Sequence, residues 1–482
     1  MGLKILVCSS EVVPFAKTGG LADVAGALPR VLVGLGHEVR VAMPNYAAID
    51  QEKAKPETVG RVTVQMGDES VSATVAVSGL IPEVLTYLVD CPRYYQRGTL
   101  YGEPDDAERF AFFCRALLEF LRTSDWRPDV IHCNDWQTAL IPVYLKSTYA
   151  NDPVLSPIAT LFTVHNLAYQ GVFEPWVLDR IGLDRSLMSM DRLEFYGQAN
   201  FMKGGLILSD VLNTVSETYA QEIQTPEYGE RLEGVLSQRT QDLFGVVNGL
   251  DYDEWNPATD KHLAASFDAK HAEGKAACKA DLQKRSNLPV RPGVPLFGLV
   301  SRLAGQKGLD LLAEVLPHLL KMDVQFVLLG SGEQYYQDVM ADLAQQHPEK
   351  MSAVLGFNNA LAHQIYGGVD FFLMPSHYEP CGLGQLISVR YGTIPVVRHT
   401  GGLADTVTDF NAETEEGNGF SFVDRSPVAL LGAISRGILT MGTQPAWQRL
   451  IRNAMECDFS WRRSAEAYVS LYTRAQAQHG SK

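Results

Sequence analysis

Short apolar runs alternate with longer segments of helical period along most of the chain. The first run, Leu3–Cys8, predicts a buried strand, and Leu21–Leu35 predicts the helix that follows it. The same pattern predicts strands at Glu38–Met43, Asp129–Cys133, Ala159–Val164, Asp210–Val215, Leu296–Val300, Val324–Leu329, Ala353–Leu355, Asp370–Met374 and Ile394–Val397. Strands that alternate with helices form parallel sheets with right-handed crossovers. The sequence therefore predicts an α/β fold.

These strands are too many for one sheet, and 482 residues are typical of two or three domains. The interval from Tyr252 to Pro295 is rich in Lys, Asp, Glu and Pro, and it predicts the domain boundary. We expect Rossmann-like domains at residues 1–250 and 251–457. The acidic stretch from Asn411 to Asn418 is expected to be a solvated loop in the second domain.

Composition excludes several classes of protein. Hydrophobic residues make up 46% and charged residues 20% of the chain, as in globular proteins. The formal charge of −15 opposes binding to nucleic acid. No apolar stretch reaches the length of a membrane span, and no signal peptide or transit peptide is expected. Seven scattered cysteines without a C-x-x-C pair favour neither disulfides nor zinc, and they predict a reducing cytoplasm.

One six-residue sequence occurs twice. Residues 18–23 and residues 400–405 both read Thr-Gly-Gly-Leu-Ala-Asp, and each copy is expected to follow a strand and open a helix. A diglycine turn there lets the backbone approach a ligand and directs amide N–H groups at an anion. Both copies could instead be no more than tight turns, and for the second copy both interpretations stay open.

Three cations fall where ligands bind in open α/β sheets, beyond the carboxyl ends of the strands. Lys17 directly precedes the first diglycine turn, while Arg302 and Lys307 flank the first strand-to-helix turn of the second domain. Arg offers a planar fork and Lys a point charge, so the latter pair can converge on one diphosphate. The alternative for Lys307 is a surface ion pair with Asp310, three residues further on.

A strand-to-helix turn at residues 375–384 combines a carboxylate with glycines. Glu379 suits sugar hydroxyls, although it could instead cap the next helix. The main-chain amides of Gly382, Leu383 and Gly384 are candidates for phosphate contacts. Cys381 is interpreted as a packed residue, because no base or cation flanks it in sequence.

Polar and aromatic residues end strands of the first domain. His165 lies at a strand end, and Asp135 follows another, where it could also cap the next helix. Trp136 and Tyr101 are candidate platforms for a sugar ring. Asn248 lies just before the interdomain segment, where a plain turn is the alternative.

Together these motifs closely resemble the bacterial glycogen synthase and plant starch synthase family. The resemblance covers almost the whole chain, from the first strand to residues 458–461. It rests on the segments Lys17–Val24, Thr163–Gly171, Val247–Gly249, Ser301–Leu303 with Gln306–Gly308, and Glu379–Leu383. It implies a retaining GT-B glycosyltransferase, in which two Rossmann-like domains face each other across a cleft. A C-terminal helix, residues 458–482, would cross back to the first domain.

The resemblance also implies a reaction and roles for residues. Glucose would pass from a nucleotide sugar, typically ADP-glucose, to the non-reducing end of an α-1,4-glucan, with no metal and no pyridoxal phosphate. The sequence leaves the choice between ADP-glucose and UDP-glucose open. Arg302, Lys307, His165 and Glu379 would be catalytic. The donor-side residues would be Lys17, Gly19, Gly20, Asn248, Phe357, Gly382, Leu383 and Gly384, and the acceptor-side residues Asp135, Trp136, Tyr101 and Asp23. Oligomerisation with further copies of the chain stays open.

Two positions depart from the family pattern. Gly384 stands where Thr is common, so a hydroxyl contact to phosphate is absent, and Phe357 stands where Tyr often stacks on the base. The broader pattern of retaining transferases, two Glu separated by seven residues, is absent, because Ile387 follows Glu379 at that distance. This weighs against sucrose synthase or a trehalose-type synthase.

Two alternatives to this family assignment stay open. They are an α-glucan phosphorylase, which needs a Lys-bound pyridoxal phosphate, and a catalytically silent glucan-binding protein.

Overall fold

The computed structural model describes residues 2–481. Within that range the chain divides into two compact units. The first comprises the residues up to Gly249 together with those from Trp461 onward, and the second is Leu250–Ser460. No helix in the described range is long and apolar enough to span a membrane.

The first unit is built on a long mixed sheet. Its strands are β1 (Lys4–Cys8), β2 (Glu38–Pro44), β3 (Glu57–Met66), β4 (Glu69–Ile81), β5 (Val84–Asp90), β6 (Val130–Asn134), β7 (Ala159–Val164), β8 (Val172–Phe173), β9 (Glu194–Phe195), β10 (Gln198–Asn200), β11 (Val211–Thr214) and β12 (Leu243–Gly245). The main sheet has the order β12-β11-β7-β6-β1-β2-β5-β4-β3, and β8, β10 and β9 form a small antiparallel sheet.

Helices of the first unit pack against the strands of the main sheet. They are α1 (Gly20–Gly34), α2 (Gln51–Ala54), α3 (Pro92–Tyr95), α4 (Asp106–Thr123), α5 (Leu140–Lys146), α6 (Val177–Arg180), α7 (Phe201–Leu208), α8 (Glu217–Glu222) and α9 (Glu233–Gln238), with 3₁₀ turns at Arg185–Leu187 and Thr240–Asp242. The strands from β12 to β5 are parallel, and β5, β4 and β3 pair antiparallel.

The second unit has a fully parallel sheet. Its strands are β13 (Leu296–Leu303), β14 (Gln325–Gly332), β15 (Met351–Leu355), β16 (Phe371–Met374), β17 (Ile394–Arg398) and β18 (Phe420–Phe422), in the order β15-β14-β13-β16-β17-β18. Its helices are α10 (Gly274–Arg285), α11 (Leu309–Leu319), α12 (Gln334–Gln346), α13 (Asn359–Gly368), α14 (Gly384–Arg390), α15 (Gly401–Thr406), α16 (Pro427–Met441) and α17 (Gln444–Met455), with a 3₁₀ turn at Gly305–Lys307.

The last helix, α18 (Trp461–His479), belongs to the first unit. Its buried aromatic side chains join the core of that unit. The Tyr472 hydroxyl lies 2.9 Å from Nδ1 of His132 on β6, and Asn213 on β11 donates to the Tyr468 hydroxyl at 3.1 Å. Apolar burial and these polar contacts hold α18 on the sheet.

The predicted α/β class is confirmed, and each strand predicted from an apolar run is present. The polar interval 252–295 lies wholly in the second unit. Trp255 stacks on His363 with ring centroids 4.0 Å apart, and Asp260 bonds to the same imidazole at 2.7 Å. These contacts explain why so polar a segment is packed.

Candidate functional site

The carboxyl edge of the second sheet brings together most of the residues predicted in that unit. Arg302, Lys307 and Glu379 line one pocket of about 240 Å³ with Gly382, Leu383 and Gly384. Arg302 is the last residue but one of β13, which precedes a 3₁₀ turn that carries Lys307, and Glu379 follows β16. The pocket therefore combines cations, a carboxylate and a glycine-rich backbone segment.

Lys307 and Glu379 form a bidentate ion pair. The Lys307 ammonium lies 2.8 and 2.7 Å from the two carboxylate oxygens of Glu379. Ser376 donates a further hydrogen bond to Glu379 Oε2 at 3.0 Å. The backbone next to Lys307 passes close to the loop after β16: Gly308 has φ 69°, and a Cβ there would lie 1.9 Å from the Pro375 carbonyl oxygen. The pair fixes the carboxylate and leaves one ammonium proton for a ligand.

Two alternatives from the sequence are wrong here. Lys307 pairs with Glu379 rather than with Asp310, which bonds to His377 Nε2 at 2.8 Å. Glu379 does not cap α14, whose N-cap residue is Leu383. Sequence spacing cannot reveal either pairing, because both connect segments about 70 residues apart.

Arg302 is exposed and donates to Gln306 Oε1 at 3.0 Å. Phe357 follows β15 at the carboxyl edge of the same sheet and is 92% exposed. It does not appear among the described residues that line the pocket. Phe357 thus lies at the carboxyl edge of the second sheet with its ring in solvent.

In the first unit, the loop before α1 presents Lys17 at the surface. Lys17 is half exposed and forms an ion pair with Asp23 Oδ1 at 2.7 Å. Gly19 has an extended backbone, and a Cβ added there would meet no atom of the described chain within 4 Å. The fold itself therefore does not need glycine at position 19.

The amides of this loop have an internal partner that sequence reasoning missed. Glu11 accepts hydrogen bonds from the Thr18 and Gly19 N–H groups and from the Thr18 hydroxyl. The expectation that these amides point at a ligand anion is wrong for Thr18 and Gly19, because the Glu11 carboxylate already occupies them. The sequence did contain one signal for this contact, because the acidic residue Glu11 follows β1 in the same loop as Lys17.

His165 and Asp135 meet at the ends of β7 and β6. The His165 backbone amide donates to Asp135 Oδ1 at 2.7 Å. Asp135 does not cap the helix that follows it, because the N-cap residue of α5 is Ala139. Burial raises the pKa of Asp135 to about 7, against the lowering effect of hydrogen bonds from the His165 and Asn166 amides. Asp135 also has a left-handed backbone with φ 55°, which Asp tolerates better than most residues.

The protonation of His165 follows from its partner. Asn134 donates its side-chain N–H to the Cys8 carbonyl at 3.0 Å, so its oxygen accepts from His165 Nε2 at 2.8 Å. Burial lowers the pKa of His165 to about 3. The imidazole is therefore neutral at pH 7 with its proton on Nε2, and Nδ1 is an acceptor.

The remaining predicted residues of the first unit differ in accessibility. Asn248 is 6% exposed, and its side-chain oxygen has no hydrogen-bond partner within residues 2–481. Trp136 is 9% exposed and lines a pocket of about 510 Å³ with Tyr169, Gln170 and Phe173. Tyr101 donates its hydroxyl proton to Glu11 Oε1 at 2.7 Å.

The second diglycine copy is packed in the interior. Gly401 has φ 44°, and a Cβ there would lie 2.1 Å from the Glu379 carbonyl oxygen. A Cβ on Gly402 would lie 2.0 Å from the Cys381 carbonyl oxygen, and the Gly402 amide donates to the Glu379 carbonyl at 3.0 Å. This copy is a tight turn that supports the loop bearing Glu379.

Metal ligands do not cluster anywhere in the described range: no group of three or more His, Cys, Asp or Glu side chains could hold a metal ion. The seven cysteines are free thiols, and six of them are buried. The charged side chains that line the pocket are those of Arg302, Lys307 and Glu379.

The fold and the cationic, glycine-lined pocket at the carboxyl edge of the second sheet agree with the family models, which identify a glycosyltransferase. Residues 4–238 match the family model described as the starch synthase catalytic domain, and residues 281–455 match that of glycosyl transferases group 1. The chain is 52% identical to a glycogen synthase of Desulforudis audaxviator, over 98% of this chain and 96% of that protein.

A glycogen synthase of Moorella thermoacetica is 49% identical over 98% of this chain and 97% of its own. Among solved structures, the catalytic domain of starch synthase IV from Arabidopsis thaliana, bound to ADP and acarbose, matches with a TM-score of 0.92 and 35% identity. That match covers 99% of this chain and 100% of the other. The chain belongs to the glycogen and starch synthase family of glycosyltransferases.

Proposed function

We propose that the protein transfers glucose from ADP-glucose to the 4-hydroxyl at the non-reducing end of an α-1,4-glucan, with retention of configuration. One observation carries this proposal: Arg302, Lys307, Glu379 and the segment 382–384 converge on one pocket. Cations and main-chain amides suit a diphosphate, and a carboxylate suits sugar hydroxyls. The Arabidopsis relative bound to ADP and acarbose supports the choice of adenine nucleotide and glucan.

In the donor site, Arg302 and Lys307 would stabilise the leaving diphosphate. Breaking the glucosyl–phosphate bond builds negative charge on the leaving oxygen, and fixed cations stabilise it most in the transition state. Glu379 already holds two protons of the Lys307 ammonium, which leaves the third for a phosphate oxygen. This positive charge is the reason that we expect no requirement for a divalent metal. Phe357 is assigned to the base, and Gly384 contributes backbone only.

In the first unit, Lys17 and Gly20 would meet the donor, and Gly19, whose amide is taken by Glu11, would leave space for it. His165 and Asn248 would meet the glucosyl unit through the acceptor nitrogen Nδ1 and the unpartnered side-chain oxygen. Asp135, Trp136, Tyr101 and Asp23 are assigned to the acceptor glucan. With the Trp136 ring largely packed, its contribution would be one edge of the pocket that Tyr169 also lines.

Retention is best explained by attack on the face that the diphosphate leaves. Glu379 is engaged by Lys307 and Ser376, which fits a hydroxyl ligand better than a nucleophile. The carbonyl of His165 would stabilise positive charge at the anomeric carbon. We place the enzyme in the cytoplasm, where its seven free cysteines would stay reduced.

A donor competition assay tests the proposal. Purified protein is incubated with glycogen and equal concentrations of ADP-glucose and UDP-glucose, each carrying a different isotope, with and without EDTA. We expect the label of ADP-glucose to enter glycogen preferentially, with equal rates in EDTA. Preferential transfer from UDP-glucose would overturn the donor assignment, and loss of transfer in EDTA that magnesium restores would overturn the metal-free mechanism.

A further inference from the structure

Glu11 is a buried carboxylate that joins three parts of the first unit. It is 4% exposed and follows β1. Its Oε2 accepts from the Gly19 amide at 3.1 Å and from the Thr18 amide, and its Oε1 accepts from the Thr18 hydroxyl at 2.8 Å. The same Oε1 accepts from the Tyr101 hydroxyl at 2.7 Å. One carboxylate therefore ties β1, the loop before α1 and the loop before α4.

A buried carboxylate needs compensation, since glutamate is rarely buried without partners. The partners here are amide and hydroxyl donors at the N-terminal end of α1, where the helix dipole also favours negative charge. Such charge-assisted bonds are stronger than neutral ones. The arrangement fixes the backbone of the glycine loop more firmly than a neutral side chain could.

The direction of the bonds determines what the loop offers to a ligand. The Thr18 and Gly19 amides point inward to Glu11, so the outward groups are the Lys17 side chain and the first-turn amides of α1 that begin at Gly20. Tyr101 gives its proton to Glu11, so Ser10, 2.8 Å away, donates to the phenolic oxygen. A lone pair of that oxygen remains for a substrate hydroxyl.

We propose that Glu11 is a positioning residue for the transfer: it holds the donor-side loop at residues 17–20 and the acceptor-side Tyr101 in one fixed geometry. This rests on the proposed function, which assigns those two elements to the two substrates. Glu11 itself touches neither substrate. Its loss should therefore move kinetic constants for both substrates together, through elements that contact each one.

Glu11→Gln is the direct test. Glutamine keeps the size, and its oxygen can still accept from the Thr18 and Gly19 amides. Its NH₂ group would then face the Thr18 and Tyr101 hydroxyls, which now donate to the carboxylate and would have to turn to accept. We expect the KM values for donor and glucan both to rise and kcat to fall, with kcat/KM for ADP-glucose lower by about 10- to 100-fold, the range of a lost hydrogen bond to a charged group. The affinity for ADP, measured by calorimetry without turnover, should weaken in parallel.

Controls separate positioning from folding. Glu38→Gln makes the same chemical change at a half-exposed residue of β2 that pairs only weakly with Arg40, and it should behave like wild type. Thr18→Val removes only the hydroxyl bond to Glu11 and should raise the donor KM severalfold. In the double variant Glu11→Gln with Tyr101→Phe, the loss of kcat/KM should be smaller than the product of the single losses, because both act through one contact.

The outcomes are distinguishable. If Glu11→Gln lowers Tm and active fraction but leaves the donor KM and ADP affinity of the folded protein unchanged, Glu11 is structural only and the inference is wrong. Independent, multiplicative effects of Glu11 and Tyr101 would also contradict it. If the wild-type protein shows no transfer from ADP-glucose to glucan, the proposed function fails first, whatever the variants do.

Discussion

The sequence Thr-Gly-Gly-Leu-Ala-Asp is used in two different ways in this chain. In the copy at residues 18–23, a Cβ on Gly19 would meet no atom of the described chain within 4 Å. The Thr18 and Gly19 amides donate to the Glu11 carboxylate. At residues 400–405 the glycines are buried against carbonyl oxygens of the loop that carries Glu379. Identical residues thus form an open surface loop in one unit and a packed support for the loop that carries Glu379 in the other.

The surroundings decide between the two uses. The first copy follows β1 after a nine-residue excursion that supplies Glu11 and Lys17, whereas the second follows β17 almost directly. His399 stands before the second copy where Lys17 stands before the first. A close turn leaves no room for a ligand, so the glycines of the second copy serve packing.

The largest expected effect lies in the pocket that the second copy supports. Arg302→Ala should lower turnover by ~10²–10³, as for the loss of one fixed electrostatic donor, while the KM for glycogen moves little. Because Arg302 is exposed, Tm should not change. Steady-state kinetics with both substrates varied measure this, and near-normal turnover with a raised glycogen KM would show that the assigned role is wrong.

Lys307→Ala should cost as much turnover and also lower stability, because it leaves the nearly buried Glu379 carboxylate without its cation. Lys307→Arg should rescue turnover only in part, since a planar fork replaces a point charge. Thermal unfolding of the three variants separates the two effects. Equal Tm values for Lys307→Ala and Arg302→Ala would contradict the importance of the ion pair.

A matched pair of glycine substitutions tests the comparison itself. Gly402→Ala places a Cβ 2.0 Å from a backbone oxygen, so we expect a loss of about 2–4 kcal/mol in the free energy of unfolding. Gly19→Ala should change that free energy by no more than about 0.5 kcal/mol. It should nevertheless raise the donor KM, since the proposed function places the donor in the open space at Gly19. Denaturant unfolding and donor kinetics on both variants provide the check.

Gly384 offers an intermediate case. A Cβ there would lie 3.0 Å from the Phe372 ring and 3.2 Å from the Met374 sulfur, both of which can shift slightly. Gly384→Ala should therefore cost about 1 kcal/mol, between the two other glycines. Unfolding curves that rank Gly384→Ala outside this order would contradict the space-based account.

Acid should affect the first unit through His132, whose pKa burial lowers to about 3. The unfolded chain binds a proton near pH 6.5 and the folded protein does not, so stability falls as pH drops below 6.5. Between pH 7 and pH 5.5 this contributes a loss of about 1 kcal/mol. His132→Gln should show a correspondingly smaller loss over that interval, when each protein is compared with itself at pH 7 by denaturant unfolding.

Local pattern predicts part of this molecule well. Apolar runs such as Leu296–Val300 predicted the parallel strands, because buried strands need continuous hydrophobic residues. Strands β3, β4 and β5 were missed. β3 is an edge strand with many exposed positions and shows no such run, whereas the apolar run in β5 was overlooked. Lys307 and Glu379 were found by motif, but their ion pair depends on tertiary packing. Glu11 was missed for the same reason, because its partners are a backbone loop and a tyrosine 90 residues away.

The central claim is glucosyl transfer with retention to the non-reducing end of a glucan. The most direct measurement incubates the purified protein with ADP-[¹⁴C]glucose and glycogen, isolates the polymer and digests it with β-amylase. We predict that the label enters the polymer and is released by β-amylase as maltose, because new α-1,4-linked residues lie at non-reducing ends. Absence of label in the polymer, or label that β-amylase does not release, would contradict the account.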